Sequence, residues 1–197
     1  MYLGLNINSK LSWDEHVDAV VKKLSSFAGV FRHVNTYLDY KTKKMLYFAH
    51  IQSRLNYLIP IWSNTTKTNC NRIERAQNKV IKALFKIPYD TPSEDLYKTT
   101  KILKFKKLAE LEQCKLIYKI SNNLIKTTQV MIKHSGIHNY ETRNANLLTL
   151  SKVKSDLGKN SPIYSSTFIF NKLPKNIYNE LNYNKFLKIL KEHLKTG

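Results

Sequence analysis

The chain has 197 residues, of which 33 are Lys or Arg against 14 Asp or Glu, a formal net charge of +19. With 42% hydrophobic residues, 12 Tyr, 8 Phe and 2 Trp, it is too apolar and aromatic for a disordered basic tail, and its length suits one folded domain or one plus an appendage. No apolar run approaches the ~20 residues that span a bilayer, and the start lacks a signal peptide's basic and apolar regions, so the expected location is intracellular, nuclear or cytoplasmic, and not secreted.

Residues 2–8, Tyr-Leu-Gly-Leu-Asn-Ile-Asn, are too short for a helix and predict one N-terminal strand. Ser12-Trp13-Asp14-Glu15 has the pattern of a capping box, and Val17, Val20, Leu24, Phe27, Phe31 and Val34 follow at helical spacing, which predicts a helix over 13–34. Asp14, Glu15 and His16 could be mistaken for a metal cluster, but acids in a first turn complement the helix dipole. A second helix is predicted over 40–62, with Met45, Leu46, Ala49, Leu55, Leu58 and Trp62 facing inward and Pro60 kinking its last turn.

The stretch 69–88 sorts into two faces. Wound as a helix, it puts Ile73, Ala76, Val80, Leu84 and Ile87 on one side and Arg72, Arg75, Lys79, Lys82 and Lys86 on the other. A charge run is commonly just a solvated face. Yet surface helices kept for stability usually mix signs, and a stripe of one sign points to an external polyanion.

Beyond a turn at 89–93, a short helix is predicted from Ser93 to about Thr100 and a long one over 107–125. Between residues 127 and 160 apolar periodicity fades, so an irregular segment is expected. Helical residues 162–172, the turn Leu173-Pro174 and a last helix over 183–195 complete the chain, the last with Phe186, Ile189, Leu190 and Leu194 on one face and Lys185, Lys188, Lys191 and Lys195 on the other. The fold class is therefore mainly α: a helical bundle with one short N-terminal strand and an irregular C-terminal region ending in a helix. Its divisions are a residual strand at 1–11, a helical bundle at 12–126 and a C-terminal region at 127–197.

Catalytic patterns are weak. The aspartates include no adjacent pair of the kind that holds Mg²⁺, and Asp90, Glu94 and Asp95 surround a helix start, where acids are expected anyway. His134 and His138 have metal-ligand spacing, but Ser135-Gly136 breaks the helix that would align them and no third ligand follows. Five glycines leave little for a phosphate-cradling loop. Cys70 and Cys114 are far apart, outside any Cys-x-x-Cys pattern, and read as free thiols. Tyr2, Tyr37, Tyr47, Tyr57, Trp62 and Phe85 could stack on bases, yet at helical spacing such rings more often form core.

Taken in order, Tyr2-Leu3-Gly4-Leu5, Leu11-Ser12-Trp13 with His16, Leu55-Asn56-Tyr57 with Trp62, and Gln77-Asn78-Lys79 with Lys82 form a series. It continues through Thr91-Pro92 with Leu96, Tyr140-Glu141-Thr142-Arg143-Asn144 and Asn171-Lys172-Leu173-Pro174. The series resembles the C-terminal part, thumb and beyond, of the reverse transcriptases of jockey-like non-LTR retrotransposons, over nearly the whole chain.

The resemblance implies that Tyr2, Leu3 and Gly4 correspond to a primer-grip strand and that the helices after it are a thumb packing on the template-primer duplex. It also implies that the catalytic palm, with its Mg²⁺, lies upstream of such a segment and is absent from this chain. The expected function is binding to RNA, DNA or a hybrid, without polymerisation by this chain alone. The residues expected to contact nucleic acid are Arg72, Arg75, Lys79, Lys82 and Lys86, with Lys188, Lys191 and Lys195 as a second patch and Arg143 as a third. Lys82 stands where the family usually has Arg, and a lysine is a point charge without the bidentate fork. The alternatives from other classes are a thumb acting with a separately made palm in trans, basic amphipathic helices binding anionic membranes or protein partners, and an inert relic.

Overall fold

The computed structural model describes residues 2–9, 11–128, 131–136 and 146–196, and they are mainly helical. Two compact units, residues 1–108 and 109–197, divide within one helix.

In the first unit, α1 (Asp14–Val34) and α5 (Lys67–Phe85) form the central pair. Asn69 Nδ2 donates to Asp14 Oδ1 at 2.7 Å, Arg72 pairs with Asp18, and Asn35 Nδ2, just past α1, donates to the Ala83 carbonyl at 2.7 Å. Contacts that advance together along both chains mean that the two helices run in the same direction. Parallel neighbours need a crossover, and residues 35–66 supply it. Val17, Leu24 and Phe31 of α1 and Ile73, Val80 and Leu84 of α5 are buried, as the helical spacing of these apolar residues requires.

The crossover departs from the expected single kinked helix. It comprises α2 (Tyr40–Leu46), a π-helical stretch (Tyr47–Gln52), α3 (Ser53–Asn56) and, after a break, α4 (Ile59–Trp62). The wider π turn shifts the inward face: Tyr47, Ile51 and Leu55 are buried, whereas Met45 is 62% exposed. The chain breaks at Leu58, which is left-handed at φ 50°, and Pro60 falls in the first turn of α4, where its missing N–H costs no helical hydrogen bond.

The expected strand does not form: among the described residues there are only isolated bridges. Tyr2 and Leu5 exchange both backbone hydrogen bonds, at 2.9 and 2.8 Å, around Leu3 and Gly4 at φ 45° and 77°, so the segment closes on itself as a tight turn. Gly4 supplies the left-handed residue, and alternation over so few residues could not separate strand from turn. The capping box is also absent. Asn8 engages Ser12 instead, Nδ2 to Oγ at 2.8 Å and Ser12 N–H to Oδ1 at 3.1 Å, and left-handed Trp13 precedes the helix.

α6 (Ser93–Thr100) matches its expected bounds. α7 (Phe105–Ser121) ends earlier than expected, because left-handed Asn123 turns the chain and the Leu124 N–H returns to the Lys119 carbonyl at 2.8 Å.

The second unit takes the rest of α7 with α8 (Asp156–Lys159), α9 (Pro162–Asn171), α10 (Lys175–Tyr178) and α11 (Tyr183–Thr196). Its core centres on Phe186, stacked on Tyr118 with ring centroids 4.2 Å apart, and on Phe170. Asn171 holds the Leu148 backbone by two bonds, Nδ2 to the carbonyl at 2.8 Å and Oδ1 from the N–H at 3.1 Å. Among the described residues no helix is long and apolar enough to cross a membrane.

Candidate nucleic-acid interface

Five cations were expected to act as one stripe along α5, and their surroundings differ. Arg72, near the N-terminal end, is tied to Asp18 of α1 and reaches Asn69 Oδ1 at 3.3 Å. Its charge is already answered. Arg75 is exposed and does not line the cleft formed at the C-terminal end of α5. Lys82 is half-buried, and its Nζ donates to the carbonyls of Tyr89 and Thr91 at 2.6 and 2.8 Å, closing the loop after α5. The ammonium also lies 5.4 Å from the centroid of the Tyr89 ring.

Lys79, Lys82 and Lys86 come together in a cleft of about 400 Å³ at the C-terminal end of α5, with Tyr89 on its wall. Lys86 is the left-handed residue that ends the helix, at φ 57°. Because α1 runs parallel to α5, its own C-terminal end brings in Arg32, with Asn35 holding the two ends together. Arg32, Lys79 and Lys86 are exposed, and their side chains make no ion pair among the described residues. Among the described residues no acidic one lines the cleft.

A bland explanation exists for cations at this place, since the carbonyl ends of two helices carry negative partial charge and favour Lys and Arg. The magnitudes limit it. Two helix ends supply roughly half a negative charge each, and Lys82 already serves the loop carbonyls. Arg32, Lys79 and Lys86 leave the cleft positive after both helix ends are counted. Sequence periodicity pointed to the lysines but missed Arg32, because only the parallel pairing of two helices 50 residues apart in sequence, such as Arg32 with Lys82, puts them side by side. The one local signal was its position in the last turn of α1.

The other expected contacts lie on other elements. Lys188, Lys191 and Lys195 are exposed along α11, opposite buried Phe186, Leu190 and Leu194, while Lys185 pairs with Glu180 at 2.8 Å. Arg143 and the rest of the 140–144 motif lie outside the described residues. Tyr2, Leu3 and Gly4 form the exposed tight turn, held by the Tyr57 hydroxyl, which donates to the Leu3 carbonyl at 2.8 Å. Gln77, part of a motif singled out in the sequence, is fully buried and structural. Of the aromatics, Tyr47 and Trp62 are core, whereas Tyr37 and Tyr57 are exposed.

Among the described residues no three His, Cys, Asp or Glu side chains converge on a metal-sized site. Cys70 and Cys114 are free; burial raises both thiol pKa values, that of Cys114 to about 12, which suppresses the reactive thiolate. Compared with known proteins, the chain matches no family, no curated protein and no solved structure.

Proposed function

We propose that this chain binds the phosphate backbone of a nucleic acid through the cleft at the paired C-terminal ends of α1 and α5. The observation that carries this is the convergence of Arg32, Lys79 and Lys86, without an acid, on one concave surface. Such a set neutralises a polyanion and makes no base-specific pattern, so affinity should depend on salt far more than on sequence. The motif series that resembles the thumb of a non-LTR reverse transcriptase suggests the setting: a template-primer duplex held against a catalytic palm. In that setting Mg²⁺ and the polymerase chemistry belong to the palm, and residues 1–197 alone extend no primer. Lys188, Lys191 and Lys195 along α11 would add a second backbone contact.

The test is salt-titrated binding to an RNA–DNA hybrid. Replacing Lys79 and Lys86 together by Gln should lower the log–log salt slope by about 2, as expected for two lost phosphate contacts. The control, Lys22→Gln with Lys67→Gln, removes the same charge from exposed positions outside the cleft and should leave the slope nearly unchanged. Equal slopes for the two double variants would remove the cleft from the interface. Binding only to anionic liposomes, and not to nucleic acid, would assign the basic surface to membranes.

A further inference from the structure

A second cavity, of about 290 Å³, lies in the first unit away from the cleft, between the N-terminal turn, α1 and the crossover. It is walled by Val20 and Tyr57 and carries two cations, Lys23 and Arg54, neither of which makes an ion pair among the described residues. The Arg54 guanidinium lies 5.3 Å from the centroid of the Phe27 ring. A cation–π contact of this kind does not use up the fork of five N–H donors, which remains for a forked contact to an oxyanion.

His16 also lines the cavity. It is only 7% exposed, and its Nδ1 is buried without a hydrogen-bond partner. Its ring is fixed edge-on against Trp62 at 5.0 Å and Trp13 at 6.4 Å. Buried polar atoms in proteins are nearly always satisfied, so an orphaned one beside a cavity calls for an occupant.

We infer that this cavity is a binding site for a small phosphomonoester or free phosphate, held by Lys23 and Arg54 and completed by a hydrogen bond to His16. Two unpaired cations match a group carrying nearly two negative charges better than they match a carboxylate. Phosphate also suits His16. The second ionisation of a phosphomonoester falls near pH 6 and that of free phosphate somewhat higher, so either presents both accepting oxygens and, in part, a donating P–OH, and meets either tautomer of a neutral imidazole, whereas an ionised carboxylate only accepts. The shared chemistry covers free phosphate, a small-molecule phosphomonoester and the terminal phosphate of an oligonucleotide.

Trp13 and Trp62 are the chain's 2 tryptophans and both touch His16, so intrinsic fluorescence reports on the site. Inorganic phosphate, glycerol phosphate and a 5′-phosphorylated dinucleotide should each be titrated at constant ionic strength, with acetate and diethyl phosphate as comparisons. The expected result is a saturable change with at least one phosphate monoester or with phosphate, and none with acetate or the diester. Arg54→Gln and Lys23→Gln, both at exposed positions, should each weaken that binding about tenfold or more, the usual scale for losing a hydrogen bond to a charged group. Lys79→Gln with Lys86→Gln should leave it unchanged, which separates this site from the cleft. Which probe saturates at the lowest concentration identifies the source. Absence of saturation with every phosphate probe, saturation equally by acetate, or an affinity indifferent to both Arg54→Gln and Lys23→Gln would overturn the inference.

Discussion

Gln77 Oε1 accepts the backbone N–H of Phe105, the first residue of α7, at 2.9 Å. The same amide's Nε2 donates to the Tyr47 hydroxyl at 2.8 Å and to the Leu103 carbonyl at 2.9 Å, and the Tyr97 hydroxyl lies 3.0 Å from Oε1. One fully buried side chain thus joins α5 to the π-helical stretch, to α6 and to the start of α7. Around it the Tyr47 and Tyr97 hydroxyls are so enclosed that burial pushes both pKa values far above the usual range.

Removing this hub should be costly. Gln77→Leu keeps much of the volume but strands the Phe105 N–H and the Leu103 carbonyl, each worth about 1–3 kcal/mol when left buried and unpaired. The expected loss is about 3 kcal/mol or more, read as a lower urea midpoint with an unchanged m value. A loss below about 1 kcal/mol would mean that water or a shifted partner replaces the amide.

Lys82 and Lys79 should separate by what they do. Lys82→Met removes two hydrogen bonds to the loop carbonyls of Tyr89 and Thr91; at this partly exposed site we expect about 1 kcal/mol of destabilisation and faster amide exchange around residues 87–92. Lys79→Gln should be neutral within about 0.5 kcal/mol and should weaken nucleic-acid binding. Equal stability of the two variants would contradict the loop-holding role of Lys82.

Lys101 ends α6 with a left-handed conformation, φ 55°, at an exposed position. A side chain there is strained, so Lys101→Gly is expected to stabilise the chain by up to about 1 kcal/mol and Lys101→Val to destabilise it. Thermal melts of both variants supply the check, and a Gly variant less stable than the Val variant would refute it.

His16 predicts a pH dependence. Burial lowers its pKa from the usual 6.5, so the unfolded chain takes up the proton first as pH falls. The contribution is full above 6.5 and is lost as pH falls from there through the lowered folded value. The carboxylates of Asp14, Asp39 and Glu94, lowered chiefly by hydrogen bonds from Ser12, Thr42 and Lys104 respectively, act in a separate window, losing their contribution as pH falls below about 4. Urea midpoints should therefore decline as pH falls below 6.5, and His16→Phe should flatten that part of the profile. An unchanged slope in the variant would place the titration elsewhere.

The sequence by itself determined the helices α1, α5, α6 and α11, and for α1, α5 and α11 the buried face as well, because an apolar repeat near 3.6 residues is local information and survives any arrangement of neighbours. It also carried the basic stripe of α5. Tertiary structure alone decided which of those charges remain free. Arg72 meets Asp18 because α1 lies parallel to α5, Lys82 is taken by carbonyls because the loop after α5 folds back, and Arg32 joins Lys79 and Lys86 only because two helix ends meet. The fate of Tyr2–Leu5 and of the crossover was likewise settled by context. Backbone pairing of four residues into a turn or a strand differs little in local energy, and a single π turn rotates every later side chain of its helix to a new face. Periodicity reports what a segment can bury; the partner across the interface decides which polar atoms are spent on the fold and which are left for a ligand.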